Sequence, residues 1–317
     1  MSLTHFTANE TIHFPACGAW PESNYLLDER SAYALEMALA TQRPLLVKGE
    51  PGMGKSFLAR AAAAKLNRQF IAEVININTE GQDLLWRFDP VARLNDAHAG
   101  MKGDELNPKN YLNPGVLWWA FCSKTAQEQY DVCRHKVYKP QTVNEDARGN
   151  GAVLLIDEID KAEPSLPNSL LEVLGNRGFE VPLLEDSVGY AGHTAPLVII
   201  TTNDERELPP AFMRRCLVLH LTVADNDYEN WLLERANVHY NDSACGKEIK
   251  RLAAQQLIQD REAAAKQGLI KPGLAEYLDL FQALNEMTPA NIIGDARMER
   301  QEQLLEKIAA FVLKKAV

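Results

Sequence analysis

The chain's 317 residues predict an α/β protein: a parallel sheet flanked by helices, followed by a smaller all-helical domain. Three observations carry that prediction. Short apolar runs bounded by Gly, Pro, Asn or Asp alternate with helix-periodic stretches, a glycine-rich turn joins one run to an alanine-rich helix, and the strand signal stops beyond about Asp225. The runs read as buried strands lie at 44–48 (PLLVK), 71–77 (IAEVINI), 152–156 (AVLLI), 197–200 (LVII) and 217–223 (LVLHLTV). The predicted boundary places an α/β domain over 1–223 and a helical domain over 224–317.

The elements follow in order. MSLTHFTANE opens an N-terminal extension, 1–24, with neither the basic nor the apolar region of a signal peptide, and no stretch reaches membrane-span length, so a cytoplasmic protein is expected. SAYALEMALA sets Leu35, Ala38 and Leu39 on one helical face before the first strand. Trp118 and Trp119 in NPGVLWWAF read as core, with an interaction patch as the alternative. KVYKPQTVNEDARGNG, 136–151, is rich in turn formers and reads as a polar surface loop. SLPNSLLEVLGNRG stripes Leu166, Leu170, Leu171 and Leu174 and is expected to stop at Gly175. GFEVPLLEDSVGYAGH reads as a hairpin. Leu304, Leu305, Ile308, Phe311 and Val312 stripe a last helix.

Composition narrows the function. A hydrophobic content of 46% supplies a core, while a net charge of −10 and a pI near 5.3 weigh against nucleic acid and acidic membranes as partners. Cys17, Cys122, Cys133, Cys216 and Cys245 form no C-x-x-C pair, and His98, His135, His193 and His239 have no metal-site spacing.

GEPGMGKS matches G-x-x-x-x-G-K-[ST] at Gly49, Gly54, Lys55 and Ser56, after a predicted strand and before a predicted helix. Glycines let backbone N–H groups converge on one anion, the helix N-terminus adds positive potential, Lys55 reaches phosphate oxygens and Ser56 can ligate Mg2+. Glu50, Pro51, Gly52, Met53 and Phe57 complete the expected nucleotide-binding segment. The alternative is a glycine-rich turn without a ligand. AVLLIDEID ends a buried strand in Asp157, expected in the magnesium shell, and Glu158, expected to direct the attacking water; an acidic turn is the bland reading. Asn203, ending PLVIITTN, is positioned to touch both γ-phosphate and water, or serves as a turn former. No N-K-x-D guanine-reading motif occurs, which favours adenine.

Four segments in order, RPLLVKGEPGMGKSFLARA, GQDLLWRFDPVARLNDA, LLIDEIDKAEPSLPNSLLEVL and PLVIITTNDERELPPAFMRRCLVLHL, make the chain resemble the AAA+ ATPases, and within them the MoxR family. The resemblance covers nearly the whole chain. It implies a sheet of order 5-1-4-3-2, a helical lid, ATP and Mg2+ held between body and lid, and a homo-oligomeric ring, usually a hexamer, with active sites at subunit contacts. It makes Arg215 the arginine finger, with Arg214 the adjacent candidate, and implies a protein substrate remodelled with a von Willebrand factor A domain partner. In the lid segment IKPGLAEYLDLFQAL, Leu274 and Ala275 stand where many relatives carry a basic residue; either Lys271 substitutes or the lid senses nucleotide poorly, and Arg297 is a further candidate that reads rather as a solvated charge. The rival reading is a nucleic-acid-linked AAA+ motor or loader, such as the NTPase component of a restriction or defence system. A non-catalytic nucleotide-binding scaffold is the other.

Overall fold

The computed structural model describes residues 4–141, 146–190 and 192–312. The chain divides into two compact units. One comprises Met1–Glu22, Leu27–Lys48 and Ser56–His220; the other comprises Ser23–Leu26, Gly49–Lys55 and Leu221–Val317.

Within the first unit lies a five-stranded sheet made of β1 (Leu45–Lys48), β2 (Gln69–Val74), β3 (Ala152–Asp157), β4 (Leu197–Thr202) and β5 (Leu217–His220). Every neighbouring pair is parallel and the order is β5-β1-β4-β3-β2, the order implied by the resemblance. Ile199 stands opposite both Leu45 and Leu155, so the central strands are in step. A strand covered on both faces has no room for polar residues, and β1, β3 and β4 are accordingly almost wholly buried. Their parallel direction brings Lys48, Asp157 and Thr202 to the same carboxyl edge, where open α/β sheets bind ligands.

Helix Glu29–Thr41 is started by Asp28, whose carboxylate accepts from the Ser31 N–H at 2.9 Å and the Ser31 hydroxyl at 2.7 Å. Trp118 and Trp119 are core residues on helix Val116–Phe121, packing edge-on to Phe179 and Tyr130. The predicted hairpin forms, Gly178–Val181 pairing antiparallel with Asp186–Gly189; Ala191 of that segment lies outside the described residues. Of the predicted polar loop, 142–145 lies outside them too, and Asp146–Gly149 is a helical turn with Ala147 buried.

Four local expectations are corrected, the first being β5, which ends at His220 rather than at 223. β2 runs over Gln69–Val74 rather than 71–77, because Asn76 turns the chain: its side chain accepts the Asn78 N–H at 2.8 Å while its own N–H goes to the Thr79 hydroxyl. Helix Ser165–Asn176 passes through Gly175, and Arg177 takes the left-handed cap at φ 58°. In the last helix, Gly294–Val312, Leu304 and Leu305 are buried but Phe311 is exposed; the Val312 side chain lies outside the described residues.

The second unit's core comes from helices Tyr228–His239, Lys247–Gln267, Leu274–Met287 and Gly294–Val312, with Leu232, Ile249, Leu257, Tyr277 and Phe281 fully covered. Lys250 is buried among them, its ammonium donating to Tyr240 O (2.6 Å), Asn237 Oδ1 (2.9 Å) and Asp242 Oδ1 (3.2 Å). A buried charge survives only when satisfied this fully.

Candidate active site

In the first unit an oxygen-rich network forms at the ends of β3 and β4. Ser56 Oγ donates to both Asp157 oxygens at 3.0 and 2.9 Å, and the buried Thr201 hydroxyl donates to Asp157 Oδ1 while accepting the Glu158 N–H at 2.9 Å. Glu158 holds φ 61°, ψ 48°, a left-handed conformation that costs a side-chain-bearing residue energy and concentrates at functional positions. Its carboxylate accepts from Lys161 Nζ at 2.6 Å and faces the Asn203 side-chain amide at 3.5 Å. The hydrogen bond to Glu158 holds the Lys161 ammonium above its ordinary pKa. Buried Asp160 fixes the other side, its Oδ2 accepting from Asn203 N (3.2 Å) and Glu205 N (3.0 Å). The structure thus brings Ser56, Asp157, Glu158 and Asn203 together, adding Thr201, Asp160 and Lys161, to which the motifs assign no role.

One carboxylate and one hydroxyl in mutual contact suit Mg2+, which keeps waters and phosphate oxygens for its remaining positions. Among the described residues no three His, Cys, Asp or Glu side chains are grouped for an all-protein metal cage.

The glycine-rich loop belongs to the second unit up to Lys55. Gly52 and Gly54 have φ 78° and 86°, the region that glycine alone enters freely. A Cβ on Gly52 would meet the Ala275 Cβ at 3.3 Å, and one on Gly54 the Tyr25 ring at 3.2 Å. Met53 is buried, its N–H on Glu50 O at 3.4 Å. Lys55 Nζ donates to the carbonyls of Gly49 (2.7 Å) and Glu50 (3.0 Å), curling back on its own loop.

Glu50 makes ion pairs with Arg261 at 2.7 Å and Lys271 at 3.4 Å. Partial burial pushes its carboxyl pKa up, but the two cations together outweigh it and leave the group below its ordinary value. Arg261 also donates to Pro272 O at 2.6 Å and lies over the Tyr228 ring at 4.5 Å. Sequence reading missed it, because nothing local distinguishes one arginine in helix Lys247–Gln267 from its neighbours.

Phe57 and Arg297 each have packing partners of their own. Phe57 stacks on Phe14, the last residue of strand Glu10–Phe14, with centroids 6.0 Å apart, near the Arg60 guanidinium. Arg297 is not a solvated charge: it is half-buried and donates to Asn285 Oδ1 (2.8 Å) and the carbonyls of Ala244, Ile292 and Pro289, tying turns of the helical unit together. Leu274 and Ala275 open helix Leu274–Met287.

Arg214 and Arg215 close helix Pro210–Arg215, immediately before β5. Both are exposed, and among the described residues neither pairs with an acid.

A parallel sheet of order 5-1-4-3-2, with a glycine-rich phosphate loop after β1 and an acidic pair after β3, defines a P-loop NTPase of the AAA+ class. Residues 44–216, more than half of the chain, match the AAA domain (dynein-related subfamily), and the chain belongs to that family of nucleotide-hydrolysing domains. Similar solved structures include a candidate ATPase from Cytophaga hutchinsonii ATCC 33406, at 15% identity, 89% coverage of this chain, 79% of that one and a TM-score of 0.39. Another is a point mutant of Thermotoga maritima RuvB, at 16% identity, 89% and 75% coverage and a TM-score of 0.37. No curated protein matches the chain. No helix among the described residues is long and apolar enough to cross a membrane.

Proposed function

We propose that this chain is a Mg2+-dependent ATPase of MoxR type, working in the cytoplasm as a homo-oligomeric ring that remodels a partner protein. The observation that carries the hydrolytic part is the network Ser56–Asp157–Thr201–Glu158, which joins the last residue of the phosphate-loop motif to the acidic pair. Ser56 and Asp157 would hold Mg2+, which would supply charge neutralisation at the phosphates. Lys55 exchanges its loop carbonyls for phosphate oxygens, since a charge-assisted bond to phosphate is stronger than one to a neutral carbonyl. Glu158 accepts a proton from the attacking water, and Asn203 beside it orients that water. Arg215, with Arg214 beside it, serves the neighbouring subunit's site, where an arginine adds on the order of 10³- to 10⁵-fold in rate. The ring, the adenine preference and a von Willebrand factor A partner rest on the four motif segments.

The test is phosphate release from ATP with Mg2+ present. Glu158→Gln is expected to lose at least about 100-fold in turnover while still binding ATP, since removing a positioned general base costs about 10²- to 10⁴-fold. Lys55→Ala is expected to lose binding itself. Wild-type turnover in Glu158→Gln would end the hydrolytic reading; GTP competing as well as ATP would end the adenine preference. Pull-down with Glu158→Gln held in ATP tests the partner, and recovery of no protein with a von Willebrand factor A domain would remove that part alone.

A further inference from the structure

We infer that Arg43 is the positioning residue for the arginine pair, so that this subunit delivers Arg214 and Arg215 to its neighbour only while Arg43 grips their backbone. The inference rests on the proposed role of that pair in the adjoining subunit's site. Arg43 Nη2 donates to Arg214 O at 2.7 Å and to Cys216 O at 3.0 Å, and its Nε donates to Arg215 O at 3.1 Å. Three consecutive carbonyls are thus held by one planar guanidinium, the residue whose fixed fork suits such a grip.

The local need is clear from the helix. Pro210–Arg215 has only six residues, so its last carbonyls lack helical partners and its stability as an isolated turn is slight. A cation at the C-terminal end is also favoured by the backbone dipoles. What is unusual is the sign of the surroundings: the gripping residue and two of the three residues gripped are arginines, and among the described residues none of these three arginines pairs with a carboxylate. A structural cap alone would be served by a neutral donor such as glutamine or serine, without crowding three cations together. The arrangement makes sense if the exposed pair is kept free and aimed for an anion that arrives from outside.

Arg43 also ties this helix to the strand that feeds the phosphate loop. It precedes Pro44, whose carbonyl accepts from Leu217 N at 2.8 Å, and from there β1 and β5 run in register, Leu45 opposite Leu217 and Lys48 opposite His220. A shift of β1 therefore reaches the arginine pair through one side chain and one strand pairing.

The experiment compares Arg43→Gln and Arg43→Lys with wild type in full-length assemblies, alongside Arg214→Ala and Arg215→Ala. Arg43→Gln is expected to lower kcat about 10- to 100-fold, the scale of a misplacement near 1 Å, with the Kd for ATP unchanged. Arg43→Lys, which keeps the charge but not the fork, is expected to recover part of that loss. The decisive arm mixes Arg43→Gln with Glu158→Gln subunits. An Arg43→Gln pocket fed by the intact arginines of a Glu158→Gln neighbour is complete, so the equimolar mixture is expected to reach about a quarter of the wild-type rate, as random head-to-tail assembly joins them at about one contact in four. A folding defect would not be cured by mixing, and Tm of each variant checks it. If Arg43→Gln turns over at the wild-type rate, or if mixing yields no more than the average of the two variants, the positioning role is wrong. If Arg214→Ala and Arg215→Ala, singly and together, keep wild-type turnover, the role of the pair itself fails, and with it the reason for the grip.

Discussion

Thr201 shows what a single side chain does here. It is wholly buried at the end of β4, and its hydroxyl both donates to Asp157 and receives the Glu158 N–H, so it fixes the acidic pair from an adjacent strand. Thr201→Val keeps the shape and removes both bonds. Urea unfolding is expected to show a loss of about 1–3 kcal/mol, the cost of leaving a buried donor unmet. ATP turnover is expected to fall as well, because Glu158 then loses the bond that holds its left-handed backbone. A variant as stable and as active as wild type would remove Thr201 from the site. At this scale the sequence already picked out Ser56, Asp157 and Glu158 through the spacing of their motifs, and the structure joins them in one network. Thr201 read only as a strand end, and Asp160, Lys161 and Arg261 carried no signal, because each earns its place by a contact made only once the chain is folded.

At the scale of elements, Gly115 starts the tryptophan helix under tight constraint. A Cβ there would stand 2.5 Å from Leu84 O and 2.6 Å from Asp83 O, both rigid backbone atoms. Gly115→Ala is expected to destabilise the first unit by about 3 kcal/mol and to red-shift the fluorescence of buried Trp118 and Trp119 in the folded state. An unshifted spectrum with unchanged stability would show that the turn can yield. Helix Tyr228–His239 gives a pH dependence. Burial lowers the pKa of His239 from 6.5, so the folded chain resists a proton that the unfolded chain accepts. Below about pH 6.5 the unfolded state binds more protons, and stability contributed by this group falls as pH falls towards the folded value. Thermal unfolding at pH 7.5 and 5.5 is expected to show a smaller drop in Tm for His239→Gln than for wild type; equal drops would place the dependence elsewhere. The strands were legible because apolar runs between turn formers leave few alternatives. Their ends were not, since an Asx turn at Asn76 and a left-handed Arg177 are settled by hydrogen bonds that compete with strand and helix.

For the molecule as a whole, the arginine pair makes one further demand. If Arg214 and Arg215 act in a neighbour's site, turnover per subunit is expected to rise with protein concentration until assembly is complete, and Arg215→Ala is expected to lower the plateau by about 10³-fold. A rate per subunit independent of concentration, in a sample that sedimentation shows to be monomeric at the low end, would exclude a shared site.

The sequence by itself determined the fold class and the AAA family: a phosphate-loop motif, an acidic pair, a polar strand end and an arginine pair stand in an order that leaves one class of sheet. These signals survive without a structure because each is local, a few residues whose spacing already sets their geometry. Only the tertiary structure decided that Arg261 and Lys271 meet Glu50, that Thr201 bridges Asp157 and Glu158, and that Arg43 grips the carbonyls of residues 214–216. Those contacts join residues tens to hundreds of positions apart, and strand register and helix packing, which no local period encodes, choose them.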